Sequence, residues 1–147
     1  MRRRDRRADR RGLERDTPLI VLDTHAWIWW SSAPERLSAA AREAIDTADR
    51  LGVCTISCWE IAMLTVRGRV ELDREVGAWV VQALAQSRID TLELTPAVAV
   101  AAGLLDGRGF PGDPADRIIY STAEISGARL VTRDLAIRQF NPAIAVW

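Results

Sequence analysis

Lysine is absent from the chain, and all twenty basic residues are arginine. A glycine-rich loop that cradles phosphate with a lysine is therefore excluded. Histidine is almost absent as well: His25 stands alone, so no mechanism that needs two imidazoles is available. The two cysteines, Cys54 and Cys58, supply neither a disulfide framework nor a four-thiolate zinc site, and they read as buried free thiols. No apolar run approaches the length of a membrane span, and the N-terminus lacks the apolar segment of a secretion signal. There is no internal repeat. These absences predict a soluble, cytoplasmic protein whose 147 residues suit one domain with a core of its own.

Charge sums to zero but is unevenly placed. Residues 1–16 hold eight arginines against Asp5, Asp9, Glu14 and Asp16, a net of +4, and lack the apolar residues needed to fold. They read as a disordered extension preceding a domain over 17–147. That domain centres on Leu-Ile-Val-Leu-Asp-Thr-His-Ala-Trp, residues 19–27. Four consecutive branched apolar residues fit a strand buried on both faces, and Asp23 falls where the strand leaves the core. The carboxyl ends of strands are where open α/β sheets bind ligands.

The rest of the pattern alternates. A short apolar helix is expected over Thr24 to Trp30, and a second, capped by Ser38, runs to about Asp49. A strand over 52–56 leads to a helix opened by Ser57-Cys58-Trp59-Glu60, and a further helix spans about Asp73 to Gln86. A strand over Ile89 to Leu94 is followed by a helix starting at Thr95-Pro96. After a flexible loop, Asp106 to Gly112, Asp113-Pro114-Ala115-Asp116 opens a helix that stops at Gly127. A strand over Arg129 to Thr132, a short helix capped by Asp134 and an edge strand over Ala143 to Trp147 complete the chain. Such alternation predicts an α/β fold with parallel strands joined by right-handed crossovers.

Four carboxylates then share one structural address. Asp23 ends the first strand, Glu60 opens a helix after the second, Asp116 opens another, and Asp134 follows the fourth strand. Each has a local explanation as a helix cap, Ser57 with Glu60 as a capping box and Asp113 with Asp116 as an analogous start. Together they crowd one sheet edge with like charge, which a divalent cation relieves. Hard oxygen ligands select Mg²⁺ or Mn²⁺, and such sites hydrolyse phosphodiesters with a metal-activated water. Adjacent His25 reads as a packing or polar-contact residue turned away from Asp23, and most of the six tryptophans as core or interface.

Leu-Asp-Thr-His-Ala-Trp (22–27), Ser-Cys-Trp-Glu-Ile-Ala (57–62), Gly-Asp-Pro-Ala-Asp-Arg-Ile-Ile (112–119) and Leu-Val-Thr-Arg-Asp (130–134) resemble, in order and spacing, the motifs of PIN-domain ribonucleases of the VapC toxin type. The resemblance implies a three-layer PIN-like domain with a parallel sheet ordered 3-2-1-4-5 and flanked by helices. It implies a metal site of Asp23, Glu60, Asp116 and Asp134, supported by Thr24 and Thr132. Asp113 matches a position often acidic in the subgroup and reads as a cap or outer-shell residue. Arg117 is a candidate phosphate contact or an ion-pair partner of Asp113 or Asp116. Mg²⁺-dependent endonucleolytic cleavage of tRNA or ribosomal RNA, a VapB-type antitoxin and a homodimer are also implied. Two other readings stay open: a binding module of the same fold that no longer cuts, and a phosphatase using Asp23 as nucleophile.

Overall fold

Leu19–Leu22 forms β1, the middle strand of a five-stranded parallel sheet ordered β3-β2-β1-β4-β5. The computed structural model describes residues 18–147. The expected extension over 1–16 and the start of the domain at Thr17 lie outside the described residues. In chain order the elements are β1, α1 (Thr24–Ser32), a 3₁₀ turn (Pro34–Arg36), α2 (Ala39–Thr47), β2 (Arg50–Cys54), α3 (Thr55–Val66), α4 (Val76–Leu84) and β3 (Ile89–Leu92). There follow α5 (Pro96–Leu104), a second 3₁₀ turn (Leu105–Arg108), α6 (Pro114–Ile125), β4 (Arg129–Val131), α7 (Leu135–Phe140) and β5 (Ala145–Val146).

The apolar run 19–22 behaves as a strand with neighbours on both sides must. Val21 pairs in register with Gly52 of β2 and Leu130 of β4, so the backbone groups of β1 are satisfied within the sheet. Successive side chains leave by opposite faces. Ile20 and Leu22 join a core with Trp27, Ile45, Ile61 and Trp79 from α1 to α4, whereas Val21 joins Leu105, Ile119, Tyr120 and Ile137 from the second 3₁₀ turn, α6 and α7. Two cores on one sheet make the three layers. Helix α1 sinks into the first: Trp27 is fully buried and meets Trp79 edge-on, ring centroids 5.1 Å apart.

Local signals fixed several ends. Ser38 caps α2 by accepting the Ala41 amide at 3.1 Å, and Thr95 caps α5 through the Val98 amide at 3.2 Å. Elsewhere the boundaries move. The second strand spans Arg50–Cys54 and not 52–56, because Arg50 and Leu51 take up the register of Leu19 and Ile20. Helix α4 begins at Val76, where the Glu75 carboxylate accepts the Gly77 and Ala78 amides. Half of the expected loop at 106–112 is a 3₁₀ turn ended by Gly109, whose φ of 75° suits glycine. No helix among the described residues is long and apolar enough to cross a membrane.

Trp27→Ala is expected to destabilise the fold by about 3–5 kcal/mol, the usual cost of emptying a buried aromatic position. Urea unfolding followed by circular dichroism measures it, and a cost below about 1 kcal/mol would place the core of the first layer elsewhere.

Candidate active site

Parallel pairing brings the C-terminal ends of β1, β2 and β4 to one edge, and the chain turns into a helix immediately after each. Asp23 follows β1 directly and caps α1, with Oδ1 accepting the Ala26 amide at 2.8 Å. Asp134 caps α7 in the same manner, accepting the Ile137 amide at 2.9 Å. Asp116 lies in the first turn of α6, and its own amide donates to Oδ1 of the capping Asp113 at 2.9 Å. Glu60 differs. The Ser57–Glu60 capping box expected from sequence does not form, because β2 passes without a loop into α3, which begins at Thr55 with Cys54 as its N-cap. Ser57 and Glu60 therefore sit inside the helix, both buried. Capping explains one oxygen each of Asp23, Asp113 and Asp134, and it leaves Glu60 unexplained.

All five carboxylates line one cavity of about 600 Å³. One oxygen each from Glu60, Asp113 and Asp116 lie within 4.8 Å of one another, so Asp113, read from sequence as a cap or outer-shell residue, both caps α6 and belongs to the cluster. Among the described residues none of the five carboxylates forms an ion pair. The cost of that crowding is visible in Asp116. Burial first, then the charges of Asp113, Glu60, Asp134 and Asp23, push its carboxyl up to about 7. Burial also raises Asp23, opposed by hydrogen bonds from the Thr132 hydroxyl and the Ala26 amide. An all-oxygen cluster of uncompensated acids is the donor set a hard divalent cation requires. The residues present fit Mg²⁺ or Mn²⁺.

Two hydroxyls tie the acids to the scaffold. Thr24 Oγ1 donates to Ser57 Oγ at 2.9 Å, both residues buried, linking the helix after Asp23 to the helix that carries Glu60. Thr132, fully buried, accepts the Asp134 amide at 3.0 Å while hydrogen bonding to Asp23. Arg117 is engaged otherwise than expected: its guanidinium pairs with Asp106 at 2.6 Å and donates to the Gly112 carbonyl at 2.8 Å, so it pairs with neither Asp113 nor Asp116. His25 makes the packing contact expected of it but is not turned away from the site. It is exposed and lines the cavity with Asp23, its ring tilted against Trp29 at 5.6 Å. Beside Arg133, which sequence places next to Asp134, the cavity wall carries three arginines that sequence reasoning missed: Arg36, Arg67 and Arg69. Their only sequence signal is position, since each follows a helix or strand that carries or adjoins an acid.

The fold and the acid cluster define an α/β protein built around a carboxylate-lined sheet edge. A family model for the PIN domain matches residues 20–141. The chain is 45% identical over 130 residues to Ribonuclease VapC22 of Mycobacterium tuberculosis, an alignment covering 87% of this chain and 98% of that protein. Among solved structures, the DNA-bound VapBC of Salmonella typhimurium is similar in fold, with a TM-score of 0.62 at 22% identity, covering 88% of this chain and 96% of that one. VapBC2 of Rickettsia felis, bound to a promoter fragment, gives a TM-score of 0.61 at 14% identity, covering 86% and 96%. The chain belongs to the PIN-domain family and, within it, to the VapC type.

The raised Asp116 gives stability a sign with pH. In the unfolded chain this carboxyl ionises near 3.8, in the folded protein at about 7, so between those values the folded state holds the extra proton. Stability from this residue is therefore present at low pH and lost as pH rises from about 4 to about 7. Metal-free Asp116→Asn should melt higher than wild type at pH 7.5 and no higher at pH 4, by calorimetry in EDTA. Equal shifts at both pH values would show that the raised ionisation of this buried, crowded carboxyl is not the cause.

Proposed function

We propose that this protein is a metal-dependent endoribonuclease that cleaves RNA, with tRNA or ribosomal RNA as substrate, and acts in the cytoplasm as the toxin of a toxin–antitoxin pair. The observation that carries the reading is the cavity itself: five carboxylates converge there without a cationic partner among the described residues, at the strand ends of a PIN domain. The name of the M. tuberculosis relative, a ribonuclease, supports the substrate class.

Asp23, Glu60, Asp116 and Asp134 are the residues assigned to hold Mg²⁺, or Mn²⁺ in its place, with Asp113 supplying a further oxygen beside Glu60 and Asp116. When bound there, the ion supplies Lewis-acid chemistry, polarising a phosphoryl oxygen and acidifying a coordinated water. The chain's own groups do the rest. Thr132 orients Asp23 and fixes the turn that presents Asp134. The Thr24–Ser57 bond holds α1 and α3 in one arrangement, which keeps Asp23 and Glu60 at a constant spacing. The cap bonds of Asp23 and Asp134 each engage Oδ1, and both residues line the cavity. Asp116, whose carboxyl burial and neighbouring charges push up to about 7, would have to be ionised to hold the ion, which would couple metal affinity to pH.

A VapB-type antitoxin and a homodimer complete the proposal. VapBC complexes are the structural neighbours, and apolar side chains stand exposed on two helices: Trp59 and Val66 on α3, Val100 and Leu104 on α5. Large apolar side chains left exposed in this way are candidates for protein contact.

Asp23→Asn retains an oxygen for the Ala26 cap and should keep the fold while lowering cleavage of end-labelled tRNA and ribosomal RNA by more than about 100-fold. EDTA should abolish wild-type cleavage, and added Mg²⁺ or Mn²⁺ should restore it. Undiminished cutting by Asp23→Asn, in protein free of contaminating nuclease, would overturn the site. A folded, antitoxin-free wild type that cuts no RNA with either metal would favour the binding-module reading.

A further inference from the structure

The cavity that holds the acids is also walled by arginines, and a metal site alone does not require them. Arg36, from the 3₁₀ turn after α1, and Arg133, from the segment between β4 and α7, approach the same indole. Their guanidinium carbons lie 5.9 and 5.7 Å from the Trp29 ring centroid, within cation–π range. Trp29 is itself immobilised: it is 8% exposed, belongs to the first core, and meets Trp147 at 5.8 Å and His25 at 5.6 Å. Two flexible side chains from distant parts of the sequence are thus held against one fixed ring.

Neither guanidinium forms an ion pair among the described residues, although acids line the same cavity. Both arginines are exposed. Two like charges gathered on one indole, kept from the nearby carboxylates and open to solvent, suit an anion that arrives from outside. Arginine's planar fork is the side chain best matched to phosphate oxygens, and stacking leaves its N–H edge free. An isolated phosphate at the acid cluster would leave this part of the wall unused.

We infer that Arg36 and Arg133, aligned by Trp29, bind backbone phosphates next to the one that meets the acid cluster, so that the site takes a continuous single strand rather than an isolated phosphate ester. The inference rests on the ribonuclease reading for the identity of the strand. Trp29 is a positioning residue here; the arginines are the groups that touch the ligand.

The test is binding of a fluorescent single-stranded RNA to Asp23→Asn protein at fixed Mg²⁺, by anisotropy, as monovalent salt is varied. Removing both charges with Arg36→Gln/Arg133→Gln should reduce the slope of log K against log salt by about 1.4, about 0.7 for each lost phosphate contact, and weaken binding roughly tenfold at low salt. Arg36→Lys/Arg133→Lys keeps the charges and should keep the slope, yet bind more weakly because the stacked fork is gone. Arg42→Gln, on exposed α2 outside the cavity, is the control and should change neither quantity. An unchanged slope in the glutamine double variant, or no measurable binding by the parent, overturns the inference. If wild type fails to cut RNA while the slope still falls in the double variant, the nuclease reading fails and the phosphate clamp stands.

Discussion

β1 is paired on both edges and covered on both faces, and this constraint decides where charge can appear. Nothing polar is tolerated across Leu19–Leu22, so the first charge the chain can afford is at Asp23, beyond the last residue of the ladder. The same rule acts on the neighbours. β2 carries Leu51, Val53 and Cys54 into the core and releases its acid only in the following helix, while β4 ends on Val131 before Thr132 and Asp134. Because all strands run one way, these releases fall on one edge. The acidic site follows from how a doubly covered parallel sheet must end.

The site is then a balance between two opposing electrostatic demands. Helix N-termini favour the capping carboxylates of Asp23, Asp113 and Asp134, each of which accepts a backbone amide. Burial and mutual repulsion disfavour them, and Asp116 registers both by holding its proton to about 7. Local folding thus assembles negative charge that the fold alone does not neutralise. The arginines Arg36 and Arg133 do not discharge it, since they are held against Trp29 instead. A site so arranged keeps opposite charges side by side without letting them cancel, as a phosphodiester bound through metal and guanidinium requires.

Most of the architecture was legible because it rests on short-range rules. The unbroken apolar run at 19–22, the Ser38, Thr95 and Asp134 caps and the Asp113-Pro114 helix start all behave as local chemistry dictates. The strand order came from family resemblance, since no local rule states which strand pairs with which. The misreadings share a cause. Ser57 and Glu60 have the spacing of a capping box, but the tertiary bond from Thr24 draws Ser57 inward and the helix starts earlier, at Thr55. Arg117 was assigned by adjacency to Asp116, whereas one helical turn directs it toward Asp106. His25 and the arginine wall are defined by what lies across the cavity, and sequence order carries no record of that.

The buried Thr24–Ser57 bond has a consequence for how this chain can drift over evolutionary time. Each hydroxyl is the other's partner in a dry setting, so replacing either alone strands a polar group, whereas replacing both by apolar residues of similar size is nearly neutral. Positions 24 and 57, separated by a 3₁₀ turn, a helix and a strand, are therefore coupled in what they tolerate. A path from the polar pair to an apolar one by single substitutions passes through an intermediate with one buried hydroxyl left unpaired, less stable than either end.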